Sequence, residues 1–527
     1  MSMESGQSTK KEAGRKVRRT AAIGLSLVMA SAVLSACSGG TADKPENRVL
    51  RIGMMYGSPD QEQWIRQQYT DTYEFTHQNI ELQFEYAINY NDMRGQNGEQ
   101  QPDPYEKFKE LLTGKNPVDV VIADYSNLPR MTQDGLLKEL DPLITKDKFD
   151  ISDYVPTVID GIKAVGDNKI YVLSPTFSSS ALFYNKKIFQ KAGVQPPTDN
   201  MTWQQVFDLA RKVSGGEGAD QVYGMTINRW GGSDLYSDVS TYVQPLQLKI
   251  FDDKAEKMLV DSGTSWSNAI KTILDLYKVK AIPNQEGYQK LSEALNKKYE
   301  KASKEGANNY NPFQGDLFGS GNIAMTVADY GYISQMKSNN NYASQNKDFT
   351  PVDWDVVTAP VFEEKPGIGG NSYLSQPLGI NNKAQNADDA WDFIKFLNSK
   401  EWAKLKSRST YEIPARAEFI KPIDGMQYNI KAFYTLKPIP PDTSNMQDIY
   451  TKYPGLNEMY SISQQLFQEA ATGKKTPEEV VKEWAVKGNA LLKKVKANPK
   501  GTDQGGATTE GGTATEKEKV DAAAGNG

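Results

Sequence analysis

A chain of 527 residues is too long for one hydrophobic core, so two or more lobes are expected. Its formal charge of −5 offers no basic surface to neutralise phosphates, which argues against nucleic acid as a partner. One His and one Cys are too few for zinc fingers, iron–sulfur clusters, familiar thiol or histidine catalysis, or structural disulfides. Neither a metal nor a cofactor is expected.

The first element is an address. Lys10, Lys11, Arg15, Lys16, Arg18 and Arg19 precede an apolar run from Ala21 to Leu34, which closes on Leu34-Ser35-Ala36-Cys37. The run is shorter than the ~20 apolar residues of a membrane-spanning helix, and its layout is that of an export signal. The only Cys of the chain directly follows the small pair, an arrangement that resembles the bacterial lipobox. That resemblance implies a signal peptide over 1–36, lipidation of Cys37 and a tether over 37–47. The blander reading is an ordinary secretory signal or uncleaved anchor whose Cys is incidental.

Val49 to Tyr56 reads as a buried strand, Gln61 to Thr76 as a helix and Ile80 to Tyr86 as an alternating strand. A Gln/Asn/Gly/Pro-rich loop over 91–104 leads to a helix over Tyr105–Leu112, ended by Gly114, and a strand over Val118–Ala123. Alternating strands and helices imply an α/β fold with a largely parallel sheet, whose ligands sit beyond the carboxyl ends of the strands. Tyr56, Asp124 and Tyr125 lie at such ends. The stretch 185–320 reads as mostly helical, clearest at Trp203–Val213 and Asn268–Tyr277. Asn382 to Ser399 reads as an amphipathic helix after a strand ending near Ile380. Residues 501–527 have almost no large apolar side chains and read as a disordered tail.

Leu182-Phe183-Tyr184-Asn185-Lys186-Lys187-Ile188-Phe189, continuing to Gly193 and followed by Pro196-Pro197 and Thr202-Trp203, resembles the signature of family 1 extracellular solute-binding proteins. These are receptors of carbohydrate ABC importers, similar to maltose-binding protein. Gly114 to Val121, Phe318 to Thr326, Ala387 to Glu401, Ile413-Pro414-Ala415-Arg416 and Gly473 to Val480 resemble further family segments in the same order. The match spans about residues 48–495. It implies two α/β lobes around a ligand cleft, divided as 48–178 (first lobe, first part), 179–375 (second lobe, main part) and 376–500 (return segments). Crossing segments are expected near Phe177–Ala181 and Ser375–Leu378. The implied function is an anchored, monomeric receptor that binds a carbohydrate, an oligosaccharide by preference. Its partners would be ABC permease subunits and the membrane, through its lipid.

Sugars present apolar ring faces and hydroxyl edges, so aromatic platforms with a few polar groups are sought. Trp230 stands in a Gly-bounded polar loop, Asn228 to Ser233, as ligand platform or packing residue. Tyr330 and Tyr332 follow the Ala324–Val327 strand, where the family places an aromatic platform; Tyr332 faces either way, and Asp329 beside them offers an acceptor. Asp124 is either a ligand acceptor or a turn cap. Asn371, Ser372 and Tyr373 reach from the glycine-rich crossing segment and Phe177 from the earlier one. Arg416 binds ligand or pairs with a carboxylate. Trp203, Trp391 and Trp402 lie in helical patterns and read as core, and His77 as solvated. No catalytic residue is singled out. A surface glycosidase would need two carboxylates flanking the scissile bond, and no motif selects a pair. A sensory protein of the same fold is the other rival.

Overall fold

The computed structural model describes residues 47–93, 103–229, 232–303, 313, 315–345, 349–369, 372–440 and 446–499. The signal, Cys37, Trp230, Asn371 and the tail lie outside these. Among the described residues no helix is long and apolar enough to cross a membrane.

Among the described residues ten strands form two sheets: β1 (Arg48–Gly57), β2 (Ile80–Asn89), β3 (Val120–Ile122), β4 (Val172–Leu173), β5 (Thr176–Asn185), β6 (Met325–Asp329), β7 (Trp354–Thr358), β8 (Ser372–Ser375), β9 (Leu378–Ile380) and β10 (Ile413–Pro414). The first sheet runs β2-β1-β3-β9-β4. β1 is parallel to both β2 and β3, and β9 runs antiparallel between β3 and β4. Val120 and Val121, neighbours in β3 that face opposite ways, are both fully buried, as in a strand covered on both faces. The helix over Asn382–Ser399 begins later, at Ala387, and breaks after Leu397 before a second helix over Lys400–Lys406. The helix of 61–76 is three pieces, Pro59–Ile65, a π-helical turn Arg66–Thr70 and Asp71–Thr76.

β5 organises the second sheet. Its first four residues pair antiparallel with β8, and Phe177 and Thr176 pair with β10. Its second half pairs with β6 and β7. Thus β5 runs unbroken through the expected limit at 178–179. Consecutive residues of a strand face opposite ways, and Leu182 and Phe183 accordingly enter different hydrophobic cores. The helices Trp203–Val213, Leu235–Val243, Ser265–Lys278, Glu458–Ala471 and Pro477–Ala497 build the Leu182 core.

The chain passes between the sheets at Ser174-Pro175 and at Gln376-Pro377, each between two strands. Proline has no N–H for a ladder, so the strands stop there. The first link therefore precedes the expected Phe177–Ala181, which lies inside β5; Phe177 itself is buried core rather than cleft lining. β10 adds an unforeseen short strand beside the start of β5, and Ala415 after it donates its N–H to the Pro175 carbonyl at 2.9 Å.

Candidate functional site

The carboxyl ends of β1, β2 and β3 bring together Tyr56, Tyr90 and Asp124. β1 ends in Tyr56-Gly57-Ser58, and Pro59 opens the next helix. The Tyr86 ring lies directly on Gly57: a Cβ there would come within 2.2 Å of two ring carbons, so only glycine fits. Tyr56 and Tyr90 present nearly parallel rings, 6.2 Å apart at 9°. Tyr90 is 40% exposed. Asp124 meets solvent, yet surrounding protein raises its carboxyl pKa above the usual aspartate range, as befits a group in a recess. The Tyr56 hydroxyl is pushed up first by burial and then by the charges of Asp124, Tyr90 and Asp103, so these groups share one neighbourhood. Tyr125 frames it from behind. Its hydroxyl donates to the Gly161 carbonyl at 3.0 Å and burial pushes it up to about 12.

The corresponding end of the second sheet is differently built. Asp329 is exposed, and its Oδ1 accepts the N–H of Tyr332 at 3.2 Å, at the start of the helix Tyr332–Gln345. Tyr330 is only 3% exposed. Its ring meets Phe433 edge-on at 5.5 Å, its N–H donates to the Ser179 carbonyl, and its hydroxyl bonds to Tyr428. Tyr332 is buried against Phe183 and donates its hydroxyl to Asp316, 2.8 Å from each carboxylate oxygen. Both tyrosines are thus core residues in this structure, turned inward because the helix beginning at Tyr332 packs back onto the Phe183 face. Of the two roles expected for Arg416, the structure shows the carboxylate pair and not an open ligand-facing side chain. Arg416 is buried, paired with Asp153, and donates to the carbonyls of Asn398 and Asp150 at 2.9 Å each. His77 is not merely solvated: it stacks on Tyr73 at 4.0 Å, and its Nε2 lies 3.3 Å from Asp392.

Tyr223 and Thr226 bridge in parallel to Ile323 and Thr326, so the loop starting at Asn228 leaves the second sheet from the same end as Asp329. Arg229 places its guanidinium 4.6 Å from the centre of the Tyr332 ring. Trp230 and Asn371 fall outside the described residues. Tyr373 on β8 is 56% exposed and available. Two open aromatics were missed. Tyr90 directly follows β2, which runs three residues past the alternating pattern that ended at Tyr86. Tyr411 is 71% exposed, and a Cβ on Gly331 would lie 3.6 Å from its ring. Beside it, Glu412 accepts from the hydroxyls of Tyr69 and Thr176 at 2.8 Å each, tying a first-sheet helix to the start of β5.

Open tyrosine faces beside solvent-reached carboxylates suit a ligand with apolar faces and hydroxyl donors. Residues 58–404 match the family model described as bacterial extracellular solute-binding protein. The chain is 26% identical over 370 residues to the sn-glycerol-3-phosphate-binding periplasmic protein of Pectobacterium atrosepticum, covering 67% of this chain and 73% of that protein. It is 24% identical over 396 residues to a binding protein of Brucella abortus, covering 73% and 82%. Among solved structures, its fold is similar to that of a sugar transporter protein from Rhizobium etli in an open conformation. That match has a TM-score of 0.55 and 20% identity, covering 84% of this chain and 99% of the other. It is also similar to the sugar-binding protein MalE from Xanthomonas citri, with a TM-score of 0.52 and 15% identity, covering 85% and 98%.

Proposed function

Because the chain belongs to the bacterial extracellular solute-binding protein family, we propose that it is a lipid-anchored receptor for an oligosaccharide. The ligand binds between the two lobes and passes to an ABC import permease. The observation that carries this reading is the parallel Tyr56–Tyr90 pair beside Asp124 at the strand ends of the first sheet. Ring faces stack on the apolar faces of sugars, and the carboxylate accepts from their hydroxyls. Asp103 and Asp124 both act on Tyr56, so a phosphate at this end would meet like charge. A neutral sugar is favoured here over the phosphate ester named for the Pectobacterium relative.

Cys37 supplies the anchor in this reading. Acylation gives several buried alkyl chains where one alone would bind only marginally. Cys37→Ser is expected to fold and bind normally but to appear in the medium; equal membrane retention would contradict the anchor. A thermal-shift screen tests the ligand. A ligand at one hundred times its dissociation constant stabilises by about 2.7 kcal/mol. Neutral oligosaccharides are expected to raise the melting temperature, and a response to sn-glycerol-3-phosphate alone would overturn the reading. Consumption of the sugar would show an enzyme instead.

A further inference from the structure

The loop that leaves the second sheet after Ile227 is held at both described ends by one buried carboxylate. Asp238, on the helix Leu235–Val243, is 3% exposed. Its Oδ1 accepts the Asn228 amide at 2.6 Å and the Ser233 hydroxyl at 2.5 Å, one from each end of the loop. Its Oδ2 accepts the Tyr277 hydroxyl at 2.6 Å, from the helix Ser265–Lys278. Thr241, one turn along, donates to the other end of the Asn228 side chain at 3.1 Å, so that amide cannot rotate without losing both bonds. Gly232, at the same end, has φ +68°, a conformation that glycine adopts without strain.

We propose that Asp238 is a positioning residue for ligand binding, fixing Asn228 and Ser233 relative to each other at the end of the second sheet that also carries Asp329. The inference rests on the receptor reading, because only then does a ligand meet this loop. A buried carboxylate is costly unless its oxygens are satisfied, and here three donors from three segments satisfy them. The chain thus ties a loop, its following helix and a neighbouring helix to one point. Asparagine at 238 has the same shape but no charge: the bonds from Asn228 and Ser233 lose their charge assistance, and the bond to Tyr277 persists only if it reverses, with the amide donating to the hydroxyl.

The test has a readout that needs no ligand. Trypsin cleaves after Arg229, and cleavage of a folded protein follows local opening. Well below the melting temperature, Asp238→Asn is expected to be nicked at Arg229 about tenfold faster than the parent, a factor corresponding to ~1.4 kcal/mol of local stability. Ser233→Ala, which removes one loop bond and leaves the carboxylate intact, is expected to show a smaller acceleration. It decides the matter if Asp238→Asn does not fold. The best sugar from the screen is expected to bind about tenfold more weakly to Asp238→Asn at a temperature where it is fully folded. An unchanged nicking rate, or an unchanged dissociation constant in a variant that nicks faster, overturns the proposal. If the parent binds no sugar, the receptor reading falls, while the nicking rates still decide whether Asp238 holds the loop.

Discussion

The two sheets end in tyrosines and aspartates alike, but they use them in opposite ways. At the first sheet Tyr56 and Tyr90 lie parallel and Asp124 meets solvent. At the second, Tyr330 and Tyr332 are buried, each with its hydroxyl tied to another side chain. The difference lies in how the chain leaves each strand. β1 leads through Gly57, where the Tyr86 ring excludes any Cβ. β6 leads through Gly331 straight into a helix that turns back onto Phe183 and pulls the flanking tyrosines with it. Strand-end position therefore does not by itself say which side chains stay open to solvent.

The comparison breaks most visibly at Tyr330. If it is core, Tyr330→Ala should lose about 3–5 kcal/mol of stability, as large aromatic truncations do, while each folded molecule keeps most of its affinity. Denaturant unfolding and calorimetry together check this. Tyr332→Phe should cost less, about 1–3 kcal/mol, because it leaves the buried Asp316 carboxylate short of a donor. Unfolding at neutral pH measures it, and a loss confined to ligand affinity would return Tyr332 to the cleft.

The smallest effect belongs to Asp124. Burial raises its folded-state pKa above the value in the unfolded chain, so the folded chain holds the proton more tightly. The stability contributed by that proton is present at low pH and is lost as pH rises from the unfolded pKa through the raised one. Asp124→Asn, neutral throughout, should be slightly more stable than the parent at pH 7. The gain is small because the carboxylate meets solvent. It should vanish below the unfolded pKa, and melts across this interval would reveal a wrong sign.

Much of the fold was legible because it follows from period and punctuation. The apolar strand Val120–Ile122, the capping box of Thr202 and Gln205, and the face of Trp391, Phe393, Ile394 and Leu397 depend on nearby residues alone. Trp203, Trp391 and Trp402 are core, as their helical spacing implied. Less of the site was legible. Burial of Tyr330 depends on Phe433 and Tyr428, about a hundred residues along the chain, and that of Arg416 on Asp153. Tyr90 followed the same strand-end rule as Tyr56 and was missed only because β2 was ended too early. The strand Ile413–Pro414, which pairs with the start of β5, has two residues, too few for any periodicity to reveal.

If the open tyrosines of the first sheet are the sugar platform, removing either ring weakens binding. Calorimetric titration of Tyr56→Ala, Tyr90→Ala and the parent with the best oligosaccharide measures this. Each substitution is expected to weaken binding by about 1–3 kcal/mol, the contribution of a large apolar contact, with melting temperatures nearly unchanged. Dissociation constants equal to the parent's in both folded variants would contradict it.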